Sequence, residues 1–256
     1  MEKHNNGSGA GTLYVVGTGP GSVKHMTVHA TEVLKKADII IGYRTYLDLI
    51  PEFLENKEVV SSEMMKEVDR CRSALEKTIG GKNVALVSGG DPGIYAMAGL
   101  VYEMAKQMDA DCSIEIIPGL AAINSCAARL GAPLMHDFAA VSLSDLLTPW
   151  EVIEKRLDAA ASADFVTAIY NPKSKKRTTQ IVRAQEIFLA HRSPETVVGI
   201  VTAATRENET IVVTTLGEML EQQIGMQSTI IIGNSQTYSW NDLMVTPRGY
   251  SDKYSL

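Results

Sequence analysis

The sequence predicts an α/β fold, largely parallel, on three observations. Short β-branched runs recur along the chain, helical patterns separate them, and glycine-rich turns directly follow several of the runs. The runs fall at 13–16, 39–41, 84–87, 114–117, 165–170, 197–201, 211–215 and 229–232. Most are continuously apolar rather than alternating, the pattern of strands covered on both faces.

In chain order, the first run is followed by Gly17-Thr18-Gly19-Pro20-Gly21 and then by a helix beginning near Thr27. Met64, Val68, Cys71, Leu75 and Ile79 recur at helical spacing, and Gly80-Gly81 supplies the stop. The run at 84–87 leads into Ser88-Gly89-Gly90-Asp91-Pro92-Gly93-Ile94-Tyr95, and a helix with small residues Ala96, Ala98 and Gly99 follows. Pro118-Gly119 closes the fourth run, and the small-residue helix after it ends at Gly131. A domain change is expected there: a polar lead-in over residues 1–11, an N-terminal α/β domain over 12–118 and a C-terminal α/β domain over 119–256. Thr148-Pro149-Trp150-Glu151 reads as a capping box with proline at the first helical position, opening a helix through about Ala161. Another helix is expected over roughly 178–191.

Composition narrows the function. With 45% hydrophobic and 21% charged residues, 256 residues are enough for one large domain or two smaller ones. A net charge of −6 argues against a nucleic-acid footprint over the whole surface. No stretch approaches the roughly 20 apolar residues of a membrane span, and the N-terminus has no signal-peptide core. Cys71, Cys112 and Cys126 show no C-x-x-C spacing, which points away from a disulfide framework or zinc site and toward a reducing cytoplasm.

The first glycine turn is not a dinucleotide loop. The third glycine of G-x-G-x-x-G would fall at Ser22, and Pro20 removes an N–H that would hold pyrophosphate. No acidic residue follows the second run to take a ribose hydroxyl. The second turn has the character of a ligand site at a strand's carboxyl end: exposed backbone at two glycines, the Asp91 carboxylate and the apolar Ile94. Two plainer readings stay open, a tight turn without a ligand at the first site and Asp91 as a helix cap at the second.

GTGPG after the first strand, GGDPGIY after a later one, IIPGLAAINSCAA at the midpoint and YNP in the C-terminal half together resemble the tetrapyrrole (uroporphyrinogen/precorrin) methyltransferases, over about residues 13–250. APLMHDFAAVSLSDLLTPWEVIEKRL, ADFVTAIYNPKSKKRT, IIIGNSQTY and MVTPRGY are most similar to the members that methylate C17 of cobalt-precorrin-3 (cobalt-factor III) and contract the ring. The resemblance implies two α/β domains with S-adenosylmethionine in the cleft between them, S-adenosylhomocysteine as its product, a homodimer, and a tetrapyrrole substrate bearing cobalt, the metal being part of the substrate alone. Carried onto matching positions, the cofactor contacts are Pro20, Gly89, Gly90, Asp91, Ile94, Ala121, Ala122, Asn171 and Ala204.

In some relatives an aspartate follows the second strand and a lysine the third. Tyr43 and Ser62 stand there instead, so those acid/base roles are not carried over. Tyr43 and Tyr46 are candidates for lining the macrocycle pocket, with ordinary packing as the alternative. Ring contraction requires proton movement, and His136, Ser142, Ser144 and Asp145 are its candidates, against the plainer reading of turn, cap and surface residues. Lys173, Lys175, Lys176 and Arg177 precede a helix N-terminus, where the dipole disfavours cations, and a carboxylate-rich tetrapyrrole would offset that cost; a solvated loop is the alternative. Lys24 and His25 are weaker substrate candidates. No histidine spacing suggests a dedicated metal site. The competing functions are a tetrapyrrole methylase acting at another carbon, a non-catalytic tetrapyrrole carrier and, more remotely, a dinucleotide-dependent oxidoreductase.

Overall fold

The computed structural model describes residues 9–255. The chain divides into two compact units, one ending at Ala122 and the other starting at Ile123. Most of the expected lead-in, residues 1–8, lies outside the described residues. Gly11 is already tied to unit 1: its N–H donates to the Thr78 carbonyl at 2.9 Å.

Unit 1 runs β1 (Thr12–Gly17), α1 (Val28–Lys36), β2 (Ile39–Tyr43), α2 (Arg44–Leu47), β3 (Glu58–Ser62), α3 (Glu67–Ile79), β4 (Val84–Ser88), α4 (Ala98–Gln107) and β5 (Ser113–Ile117), and α5 (Ala122–Leu130) begins at its last residue. Its five strands form one sheet in the order β3-β2-β4-β1-β5, and every pairing is parallel. Successive strand residues serve opposite faces. Leu13, Val15, Ile39, Ile41, Val84 and Leu86 pack with Cys71, Leu75 and Val101 of α3 and α4. Val16, Ile40, Ala85 and Val87 pack with Ala30, Val33 and Leu34 of α1. Both faces of the central strands β1, β2 and β4 are therefore dry, and these strands read as unbroken apolar runs. Thr27 caps α1 through its side-chain oxygen, which accepts the Ala30 N–H at 3.1 Å.

Two details depart from the sequence reading. β3 went unread because it is a mostly exposed edge strand, with no run of apolar residues to mark it. The α3 stripe is rotated: Arg70, Cys71, Ala74, Leu75 and Thr78 are buried, whereas Val68 and Ile79 face solvent and Met64 precedes the helix.

Unit 2 continues with β6 (Gly131–Ala132), β7 (Phe138–Ser142), α6 (Trp150–Ser162), β8 (Val166–Tyr170), α7 (Gln180–Leu189), β9 (Val197–Thr202), β10 (Thr210–Thr215), β11 (Ser228–Ile232), β12 (Tyr238–Trp240), β13 (Leu243–Val245) and α8 (Tyr250–Lys253). Its main sheet has the order β10-β9-β11-β8-β7, and β12-β13-β6 form a small second sheet. Here the expectation of a largely parallel architecture is corrected. Only β7–β8 is parallel in the main sheet; β8–β11, β11–β9 and β9–β10 are antiparallel. Burial on both faces produces continuous apolar runs in either direction, so the pattern reports covering and not polarity. The core gathers Leu143, Ile153, Leu157, Ile169, Phe188 and Ile230 from strands and helices. Gly199 lets α5 lie close on the other face: a β-carbon there would meet the Leu130 side chain at 2.4 Å.

The expected capping box at 148–151 does not form. Pro149 itself occupies the N-cap (φ −55°, ψ 140°), no side chain caps the helix, and the Pro149 carbonyl accepts the Val152 and Ile153 N–H groups. Thr148 thus stands one position too early to cap.

Candidate functional site

Three turns at the carboxyl ends of β1, β4 and β5 are knitted together in unit 1. Gly19 and Gly90 exchange both backbone hydrogen bonds: Gly19 N–H to Gly90 O at 3.1 Å, and Gly90 N–H to Gly19 O at 2.8 Å. Asp91 spans two turns, with Oδ1 accepting the Gly93 N–H at 2.8 Å and Oδ2 the Gly119 N–H at 3.1 Å. The glycines are sterically required by this packing. A β-carbon on Gly119 would sit 2.1 Å from the Gly90 carbonyl oxygen, and one on Gly17 2.7 Å from the same oxygen. The reading of Asp91 as a helix cap falls, since α4 begins at Ala98 with Met97 at its N-cap. Asp91 instead holds two loops in register.

Around this knot, Pro20 and Ala121 are buried, Ala122 is half-buried, and residues 93–96 are exposed, with Ile94 open to solvent. Tyr46 packs edge-on to Tyr43, ring centres 5.5 Å apart, and leans on the α1-side core. A β-carbon on Gly89 would strike its ring at 2.6 Å. Tyr46 thus has a packing role. Ser62 ends β3 and accepts a bond from the buried Arg70 guanidinium at 2.9 Å. Lys24 and His25 lie exposed on a short 3-10 turn.

In unit 2, a second set converges where the parallel pair β7 and β8 ends. Asn171 follows β8 in the left-handed region (φ 51°), a conformation asparagine tolerates well. Its Nδ2 donates to Ser142 Oγ at 2.9 Å, and Ser144 N–H donates to the same oxygen at 3.2 Å. Arg177 Nη2 reaches back to the Asn171 carbonyl at 2.9 Å. Asp145 accepts from Gln180 Nε2 at 2.8 Å. The basic run is thus not uniform: Lys175 and Lys176 are exposed, whereas Arg177 is half-buried and braces the turn. Ala204 is buried between the left-handed Ala203 and Thr205.

His136 does not join this set, which corrects its grouping with Ser142, Ser144 and Asp145. It precedes β7, whereas Ser142 ends it, so the strand's length of about 16 Å separates them. His136 lines a separate pocket of about 410 Å³ with Leu134, Met135, Asp137, Phe138, Phe165 and Arg248. Sequence proximity concealed the separation because strand and turn have different reach per residue. Conversely, the sequence held no visible sign of the contacts of Gln180 or of Tyr170, whose hydroxyl accepts the Ile123 N–H at 2.9 Å near the start of α5. Both partners are distant in the chain.

Among the described residues, no three His, Cys, Asp or Glu side chains gather as a metal site, and no helix is long and apolar enough to cross a membrane. The cysteines are free. Burial pushes the Cys71 thiol up to about 12 and Cys126 up to about 11, so neither is a nucleophile near neutrality.

The paired parallel strand ends and their glycine turns define the class. The model of the tetrapyrrole (corrin/porphyrin) methylases matches residues 12–220, and the chain belongs to that family. Within it, a cobalt-factor III methyltransferase of Priestia megaterium is 52% identical over 96% of this chain, although the chain spans only 46% of that protein's length. A probable cobalt-factor III C(17)-methyltransferase of Salmonella typhimurium is 48% identical, with 93% of this chain and 99% of the relative aligned. The crystal structure of the methyltransferase CobJ superposes with a TM-score of 0.88 at 36% identity, covering 93% of this chain and 100% of the other.

Proposed function

We propose that this chain methylates C17 of a cobalt-precorrin-3 or cobalt-factor III, using S-adenosylmethionine, and contracts the ring to cobalt-precorrin-4 or factor IV in cobalamin biosynthesis. The observation that carries the reading is the 48% identity to the Salmonella typhimurium relative over 99% of that protein's length. The similarity spans 93% of this chain and is therefore not confined to the glycine turns.

The residues present fit the methyl donor. The knot formed at Gly17, Gly19, Gly90 and Gly119 fixes the turns against one another at the carboxyl ends of the parallel strands, the position where such sheets take a ligand. Exposed Ile94 offers an apolar wall, and half-buried Ala122 lies close to Gly90. S-adenosylmethionine, when bound, supplies a methyl group already activated on sulfur. What remains for the chain is to orient a ring carbon about 3–3.5 Å from that methyl and to exclude water. Asp91 serves by holding the second and third turns in register. Pro20, Gly89, Asn171 and Ala204 belong to the same proposed contact set, and Lys173, Lys175 and Lys176 are proposed to meet the carboxylates of the macrocycle. Cobalt enters as part of the substrate. A homodimeric, cytoplasmic enzyme is part of the proposal, as the family resemblance implies.

The test is anaerobic incubation with S-adenosylmethionine and cobalt-factor III, followed by mass and NMR analysis. One added methyl at C17 in a contracted ring is expected. A methyl at any other carbon would move the chain to a different specificity within the family, and absence of transfer with intact tetrapyrrole binding would favour a carrier.

A further inference from the structure

A serine hydroxyl carries one donor and two acceptor positions. At Ser142 both acceptor positions are taken, one by Asn171 Nδ2 at 2.9 Å and the other by the Ser144 N–H at 3.2 Å. The hydroxyl proton has no acceptor among the described residues, and Ser142 is half-buried at the end of β7. Donors hold this arrangement from both sides, because Arg177 braces Asn171 through its carbonyl at 2.9 Å. Arg177 Nε is likewise a buried donor without an acceptor. The Ser142 hydroxyl proton and Arg177 Nε are thus two donors left open near this strand end, where the Asp145 carboxylate is engaged by Gln180, and the adjoining turn adds Lys173, Lys175 and Lys176.

From this we infer that Ser142 binds the substrate as a hydrogen-bond donor to a side-chain carboxylate of the macrocycle, and does not act as a proton acceptor in ring contraction. The inference rests on the tetrapyrrole reading above and adds the polarity of one contact. A base at this position would need a free lone pair on Oγ, and Asn171 and Ser144 occupy both. A carboxylate matches an unsatisfied O–H beside three lysines, because charge-assisted hydrogen bonds are the strong ones.

Steady-state kinetics of the full chain with cobalt-factor III test this, measured on the unaltered protein first so that absence of turnover there counts against the proposed function alone. With that activity in hand, Ser142→Ala is expected to raise KM for the macrocycle about 10- to 100-fold, the worth of one hydrogen bond to a charged group, with kcat and the pH limbs nearly unchanged. Ser142→Thr retains the hydroxyl and restores KM. If the alanine variant does not fold, Ser142→Cys, which keeps the bulk and donates only weakly, is expected to show the same rise in KM. Three outcomes overturn the inference: an unchanged KM in Ser142→Ala or Ser142→Cys, a lost kcat accompanied by a lost pH limb, or a threonine variant as impaired as alanine.

Discussion

At the scale of single residues, burial decides chemistry more than residue type does. Cys71 and Cys126 are enclosed by core side chains, and desolvation of the thiolate holds both protonated, up to about 12 and about 11. In the unfolded chain a thiol ionises near pH 8.5. The folded pKa lies above the unfolded one, so the stabilisation is fully present below about pH 8.5. It declines as pH rises from there toward 11 for Cys126 and 12 for Cys71. Urea midpoints are expected to be flat from pH 6.5 to 8 with respect to these groups and to fall by pH 10. Native-state alkylation with iodoacetamide at pH 8 is expected to spare Cys71 and Cys126, and rapid modification of either would contradict their burial. Arg192 shows the same rule with opposite sign. Burial lowers its affinity for the proton, yet it stays useful by donating to the carbonyls of Gly233, Ala160 and Phe165 while lying 4.8 Å over the Phe188 ring.

Between elements, the informative contact is the knot of turns after β1, β4 and β5. Glycines at 17, 90 and 119 were visible in the sequence, but their meaning was not. The sequence suggested room for a ligand, whereas the geometry shows that Gly17 and Gly119 are needed for the turns to pack against one another and Gly90 for its positive φ of 66°. Asp91, a candidate cap or ligand contact in the sequence, is found clamping two turns and not capping the helix. Asp91→Ala removes the acceptors of Gly93 and Gly119, at a cost of about 1–3 kcal/mol per amide left without a partner in the dry interior, less where water replaces the carboxylate. Calorimetry is expected to show S-adenosylhomocysteine binding weakened together with a lower melting temperature. Weakened binding at an unchanged melting temperature would point to a direct ligand contact instead. β7 teaches the complementary lesson. His136 and Ser142 are six positions apart and belong to opposite ends of a strand, so a cluster drawn from sequence proximity was divided by 3.3 Å of rise per residue, roughly.

For the whole molecule, ligand binding to the folded chain alone must raise its stability. S-adenosylhomocysteine at about 100 times its Kd is worth about 2.7 kcal/mol, which for a chain of this size corresponds to a rise of roughly 5–10 °C in melting temperature. Differential scanning fluorimetry measures it, and NAD(H) serves as the control expected to give no rise. A rise with NAD(H) and none with S-adenosylhomocysteine would reverse the choice between methyl donor and dinucleotide. What the sequence determined by itself was the α/β class, eight of the strands, the glycine turns and the family, because burial on both strand faces and the demand for glycine leave marks at fixed spacing. Strand direction in unit 2, the edge strand β3, the failed cap at Pro149, the clamp at Asp91 and the donor-only state of Ser142 were decided by tertiary structure alone. Each depends on which distant group lies within hydrogen-bonding reach, and local composition carries no record of that distance.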